Sequence, residues 1–237
     1  MRVFLTAKWL NLINITYKVD PSILKKYLPK GLELDTIDGS AFISLVAFDF
    51  KDTKVKGVKI LFHVDFPEIN LRFYVKHNAE RGVVFIKEFV PKFMISFIAN
   101  AVYNEPYKTA VMKSEFIANG KILVSYKLKT GGEEYFIKLS ADNRLTTPSS
   151  DSIEHFFKEH SYGYGTSHSG KTLVYRVDHP VWRTYNVNDY SHNFDFGKIY
   201  GSRFSFLNNQ KPFNVLLAEG SDVKVYSAQD VSVSNRA

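Results

Sequence analysis

The stretch that most constrains the fold is Phe66-Pro67-Glu68-Ile69-Asn70-Leu71-Arg72-Phe73-Tyr74-Val75-Lys76, which alternates without a break. Successive side chains of an extended strand point to opposite faces. Ile69, Leu71, Phe73 and Val75 therefore share one face, and Glu68, Asn70, Arg72, Tyr74 and Lys76 share the other. Two explanations of the polar face compete. A surface strand facing water produces this alternation. So does a strand whose carboxylate, amide and guanidinium, spaced two apart beside a Tyr, form the floor of a polar pocket.

The rest of the chain extends the β character. Asp38-Gly39, Asn119-Gly120 and Gly131-Gly132 are hairpin signals between strand-like runs. Strands are expected over 10–17, 32–37, 40–50, 54–64, 83–89, 109–118, 121–129, 133–140, 171–178, 181–187, 202–207 and 222–226. Three helices are expected. One follows Asp20-Pro21, an N-cap with Pro in the first turn. One opens at Pro91, with Met94, Phe97, Ile98, Ala101 and Val102 at helical spacing. One spans Ser152 to His160, with Ile153, Phe156 and Phe157 inward.

With 20 Phe and 14 Tyr among 237 residues, the composition is that of a folded, strand-rich chain. Neither an internal repeat nor a long low-complexity linker divides it, so residues 1–237 read as a single domain. Lys8 interrupts the N-terminus too early for a secretory apolar region, and no apolar run reaches membrane-spanning length. Absence of Cys excludes disulfides, thiolate catalysis and Cys-ligated zinc, and fits a cytoplasmic protein. The net charge of +7 comes from scattered lysines such as Lys25, Lys51 and Lys121, so nucleic acid is not the expected partner.

Two motif-level signals fall away on context. Gly165 to Thr172 matches the G-x-x-x-x-G-K-T pattern. A phosphate loop needs a buried strand before it and a helix after it. Tyr162-Gly163-Tyr164 is not an apolar strand, and Leu173 to Val177 has strand character. His155 and His160 are five apart, which misses the helical register for a shared metal ligand, so no metal and no cofactor is expected. No G-x-S-x-G elbow occurs; a Lys nucleophile remains chemically open. His179-Pro180-Val181-Trp182 reads either as a strand-entry turn with Trp182 in the core or as a pocket mouth carrying His179.

The order of Asp20-Pro21, Leu28-Pro29-Lys30-Gly31-Leu32, Asp38-Gly39-Ser40-Ala41-Phe42, Glu68-Ile69-Asn70-Leu71-Arg72-Phe73-Tyr74-Val75, Arg81-Gly82-Val83, Pro106-Tyr107, Ile153 to Glu159 and His179-Pro180-Val181-Trp182 resembles the YqjF-like family, a bacterial domain of unknown function. That family looks like a relative of the acetoacetate decarboxylase-like superfamily. The resemblance covers nearly the whole chain. It implies a mainly β (α+β) fold: an antiparallel, cone-shaped β-barrel with a few short covering helices and an internal cavity.

The resemblance also implies a departure. The decarboxylases carry Pro-Lys-Lys after the helix; the first Lys forms the imine and the second lowers its pKa. Here the same place reads Pro106-Tyr107-Lys108. Tyr cannot form an imine, and in an extended segment Lys108 points to the face opposite Tyr107.

The expected function is binding of a small anionic or carbonyl-bearing molecule in the barrel. Arg72 would be its anchor, because the planar fork suits carboxylates. Glu68 would orient Arg72 or carry a proton, and Asn70 and Tyr107 would supply hydrogen bonds, with His179 and Trp182 at the mouth. One alternative is acid–base or lyase chemistry drawn from Glu68, Tyr107 and Lys108. Another is a structural barrel in which Glu68 and Arg72 are a buried ion pair.

Overall fold

The computed structural model describes residues 1–92 and 106–231. The helix expected after Pro91 lies outside the described residues. The strands in chain order are β1 (Val3–Val19), β2 (Glu33–Leu34), β3 (Ala41–Val55), β4 (Phe66–His77), β5 (Glu80–Val90), β6 (Tyr107–Thr109), β7 (Val111–Asn119), β8 (Lys121–Thr130), β9 (Glu133–Thr146), β10 (Tyr162–Thr166), β11 (Thr172–Asp178), β12 (Thr184–His192), β13 (Asn214–Tyr226) and β14 (Gln229–Asp230). The short helices are α1 (Pro21–Lys25), α2 (Ile153–Lys158) and α3 (Phe196–Tyr200).

Strand pairing runs β11-β10-β5-β4-β3-β1-β13. It returns to β11 through Val177 opposite Val225 and Asp178 opposite Lys224, so seven strands close into a ring. β13 is long enough to serve three partners. Its first half also pairs β12, from which β9, β8 and β7 continue the same sheet as an antiparallel extension. The fold is mostly β, as expected.

This extension of the sheet explains the alternating strand. Ile69, Leu71, Phe73 and Val75 pack in one core with Ile122, Val124, Tyr126 and Ile137 of β8 and β9, outside the ring. Phe66 and Tyr74, on the other face of β4, join Phe42, Phe48, Tyr175 and Trp182 in a second core inside the ring. Both faces of β4 are buried from Phe66 to Val75. The solvent explanation of its polar face is thereby excluded.

Two kinds of glycine position shape the sheet. Asp38 and Gly39 both adopt positive φ (49° and 73°), as the type I′ hairpin turn requires. Gly163 and Gly82 instead make room for rings. A Cβ on Gly163 would lie 2.1 Å from Tyr175 Cζ, and one on Gly82 would lie 2.6 Å from Tyr164 Cε2. Each tyrosine covers the bare backbone of a neighbouring strand, which compensates the packing a strand glycine lacks.

Several expected elements differ, and the strand expected over 32–37 is reduced to Glu33–Leu34. The strand expected over 54–64 stops at Val55, because Lys56 and Gly57 take left-handed φ values (50° and 82°) and turn the chain. The strand expected over 202–207 is a 3-10 helix, Ser202–Asn209. Its two buried residues, Phe204 and Leu207, are three apart, the period of that helix rather than of a strand. The strand expected from Val181 begins at Thr184. Tyr162 to Thr166, expected to be non-strand, is β10. The Gly165–Thr172 motif therefore joins two strands, with no helix N-terminus to hold a phosphate.

Helix α2 lies against the ring interior. Ser152 caps it, accepting from His155 N at 3.2 Å. The Phe157 carbonyl accepts from Asn14 Nδ2 at 3.2 Å and from Tyr74 OH at 3.4 Å. Arg81 fixes the same segment, pairing with Asp35 at 2.6 Å and lying 3.9 Å from the Phe156 ring centroid. Among the described residues no helix is long and apolar enough to cross a membrane.

Candidate functional site

β4 delivers Glu68, Asn70, Arg72 and Tyr74 to the ring interior, all at most 9% exposed. Glu68 is the hub. Asn70 Nδ2 donates to its Oε1 at 2.9 Å, and Tyr107 OH donates to its Oε2 at 3.0 Å. The Glu88 carboxyl is a further hydrogen-bonding neighbour.

Glu88 arrives there through an irregularity. The β4–β5 register runs Leu71 opposite Lys87, then Arg72 opposite Phe85, so β5 carries one extra residue. Val83 points into the ring before this bulge, and Val90 does so after it. Unbroken alternation would have turned Lys87 inward and Glu88 out. The bulge reverses them, since a one-residue slip exchanges the faces of a strand. β6 then pairs parallel to β5 with Tyr107 opposite Glu88, which completes the cluster.

Burial dominates the electrostatics of the hub. Removing the Glu68 carboxyl from water raises its pKa from 4.5 to about 7, against the opposing pull of Asn70, Tyr107, Glu88 and Arg72. Two adjoining buried carboxyls cannot both ionise cheaply, so the pair retains a proton near neutral pH.

Arg72 does not form the buried ion pair with Glu68 that a structural barrel would use. The arginine ion pairs among the described residues belong to Arg81, Arg176 and Arg183. Arg72 Nε is buried with no hydrogen-bond partner among the described residues, as is Asn70 Oδ1. His160 is buried beside Tyr74, with ring centroids 4.9 Å apart, and neither of its nitrogens has a partner. Burial, reinforced by Arg81 and Arg72, holds its pKa well below the ordinary imidazole value, so the ring is neutral. The interior thus offers a guanidinium donor, an amide acceptor and a neutral imidazole, groups that bear unmet hydrogen-bonding capacity.

On its far side Tyr74 OH is 2.5 Å from Ser44 Oγ and accepts from Asn14 Nδ2 at 3.2 Å. Thr16 Oγ1 extends this network, 2.7 Å from Ser44 Oγ. These contacts fix the Tyr74 ring beside His160.

The other expected site residues fall elsewhere. Lys108 is exposed on β6, facing away from Tyr107, and lines an outer cleft of about 500 Å³ with Lys87 and Lys198. His179 stacks on Trp182, with centroids 4.1 Å apart, and borders a separate surface cleft of about 420 Å³. Trp182 is a packing residue, donating from Nε1 to Ser221 Oγ at 2.8 Å and lying against Trp9. Glu88 and His160 were missed from sequence. A bulge has no sequence signature here, and a lone His after a short helix carries no spacing signal. Among the described residues no three metal-ligating side chains gather.

The sequence from residue 6 to residue 222 matches the model of a family described as an uncharacterized conserved protein, domain of unknown function 2071. The chain belongs to this family. A relative, uncharacterized protein YqjF of Bacillus subtilis (strain 168), is 28% identical over 183 residues, covering 76% of this chain and 74% of its own. Among solved structures, an acetoacetate decarboxylase-like enzyme from Sphingomonas wittichii RW1 superposes with a TM-score of 0.67 at 11% identity, covering 97% of this chain and 94% of that one. The enduracididine biosynthesis enzyme MppR complexed with pyruvate gives a TM-score of 0.68 at 13% identity, covering 98% and 91%. At such identities the likeness establishes the fold, the acetoacetate decarboxylase-like one that the sequence resemblance implied.

Proposed function

We propose that the ring interior of this family member binds a small organic carboxylate that also carries a carbonyl or hydroxyl group. The observation that carries this reading is Arg72, a guanidinium 9% exposed whose Nε has no partner. Leaving an N–H of a buried charged group without an acceptor is costly, so a position that retains one is suited to an anionic guest. The guest's carboxylate sits on Arg72, whose planar fork fits it. The N–H of neutral His160 donates to a carbonyl of the guest, Asn70 Oδ1 accepts from a hydroxyl there, and Glu68 and Tyr107 close that end. Phe48 and Tyr74 supply apolar wall, as small-molecule sites require. The MppR neighbour, described as complexed with pyruvate, supports the chemical class.

Imine chemistry is not part of this reading. Tyr107 is engaged with Glu68, and Lys108 faces the outer cleft. Saturation-transfer NMR with pyruvate, 2-oxobutyrate and the uncharged analogue acetone tests the proposal. The acids bind and acetone does not; Arg72→Gln abolishes acid binding while the fold, followed by circular dichroism, persists. Equal binding of the acids to Arg72→Gln and the unaltered protein refutes it.

A further inference from the structure

The proposed site contains more machinery than binding requires. A carboxylate anchor needs Arg72 and one or two hydrogen-bonding groups. It does not need two carboxyls in contact, which repel an anionic guest if both ionise. Yet β4 and β5 bring Glu68 and Glu88 together beside the anchor, and the β5 bulge is what turns the second acid inward. The pair is also oriented. Asn70 and Tyr107 each donate to one oxygen of Glu68, which fixes its plane, while Asn70 Oδ1 remains unpartnered. Among the described residues, the charged and titratable groups facing Glu68 are therefore Arg72 on its own strand, Glu88 on β5 and Tyr107 on β6; Phe48 of β3 stands opposite it.

We propose that the Glu68–Glu88 pair exchanges protons with the carbon adjacent to the carbonyl of a small 2-oxo acid, interconverting its keto and enol forms without a covalent intermediate. The proposal rests on the binding reading above and specifies the chemistry of that same site. The pair begins with one proton, one member a carboxylate and the other an acid. The carboxylate takes a proton from the carbon next to the ketone. The C–H electron pair becomes the C=C bond, and the carbonyl π pair moves to oxygen, which receives the proton of the acid member. The pair again holds one proton, and the guest is an enol. Reversal restores the ketone, with solvent hydrogen at carbon whenever the pair has exchanged with water. Arg72 holds the carboxylate of the guest throughout, and the unpartnered Asn70 Oδ1 accepts the enol hydroxyl. Nothing is oxidised or reduced and no co-reactant is consumed. A buried carboxyl pair that retains a proton near neutral pH is matched to donate and accept in turn.

The experiment incubates the full chain with pyruvate or 2-oxobutyrate in D2O and follows the proton signals of the carbon beside the ketone by NMR, with saturation transfer measured on the same samples. The expected result is protein-dependent loss of those signals. Glu68→Gln and Glu88→Gln each slow it on the order of 100-fold, the usual worth of a positioned acid or base, while still binding the acid. Lys108→Ala leaves the rate unchanged, and borohydride traps no adduct. In the unaltered protein, which avoids any question of variant folding, the rate is bell-shaped in pH around the single-proton state of the pair. Binding of both acids with exchange no faster than in buffer overturns this inference and leaves the binding reading standing. Absence of binding overturns both.

Discussion

Replacing Glu68 with Gln should remove a pH-dependent weakness from the fold. The carboxyl is buried and its pKa is raised from 4.5 to about 7, chiefly by desolvation. The folded state therefore holds a proton that the unfolded chain releases. Stability from this group is fully present below the unfolded value of 4.5 and is lost as pH rises through about 7. One pKa unit corresponds to about 1.4 kcal/mol, so the whole window is worth roughly 3 kcal/mol. Between about pH 5 and about pH 8 the share lost is roughly 2 to 3 kcal/mol. Gln has the same shape, carries no charge and can donate to Glu88. The assay is urea unfolding of both proteins at the two pH values. With a slope of about 2–3 kcal/mol/M, the unaltered protein should lose about 1 M in midpoint relative to Glu68→Gln on going to the higher pH. Parallel pH profiles for the two proteins would show that Glu68 ionises without cost, and would refute the desolvated acid pair.

Lys108→Ala should leave 2-oxo acid binding unchanged by calorimetry, because Lys108 lines the outer cleft; a large loss would place it in the interior. Tyr74→Phe should cost about 1–2 kcal/mol in urea unfolding, since its hydroxyl joins Ser44, Asn14 and the Phe157 carbonyl in a buried network. Gly163→Ala should lower the melting temperature sharply, because the new methyl would overlap the Tyr175 ring at 2.1 Å. Adding Tyr175→Ala should restore part of that loss, and a double variant no better than the single one would count against ring overlap as the cause.

Much of the candidate site was legible because strand periodicity is local. The alternation of residues 68 to 75 is written in the chain, and it does set Glu68, Asn70 and Arg72 on one face. The offset of Lys108 from Tyr107 is legible by the same rule. The strand expected over 202–207 rests on the alternation of Phe204 and Phe206, but Phe206 is exposed and the buried pair is Phe204 and Leu207, three apart, the period of a 3-10 helix. His179 drew attention as part of a conspicuous tetrapeptide, yet it stacks on Trp182 at the surface end of the packing.

The sequence alone therefore determined strand character, the turn at Asp38-Gly39, the sharing of a face by the polar residues of β4 and the presence at position 107 of a tyrosine, which cannot form an imine. These follow from dihedral preferences and side-chain identity, which act over a few residues. Tertiary structure decided the rest. Whether the polar face of β4 met water or an interior depended on closure of the ring through β11 and β13, strands that begin only at Thr172 and Asn214. Which of Lys87 and Glu88 entered that interior depended on a single extra residue in β5, fixed by packing on both faces of the sheet. A neutral His160, without hydrogen-bond partners among the described residues, beside an Arg72 whose Nε likewise has none there, exists only once α2 is laid against the ring, because burial is a property of the assembled fold and not of any segment of it.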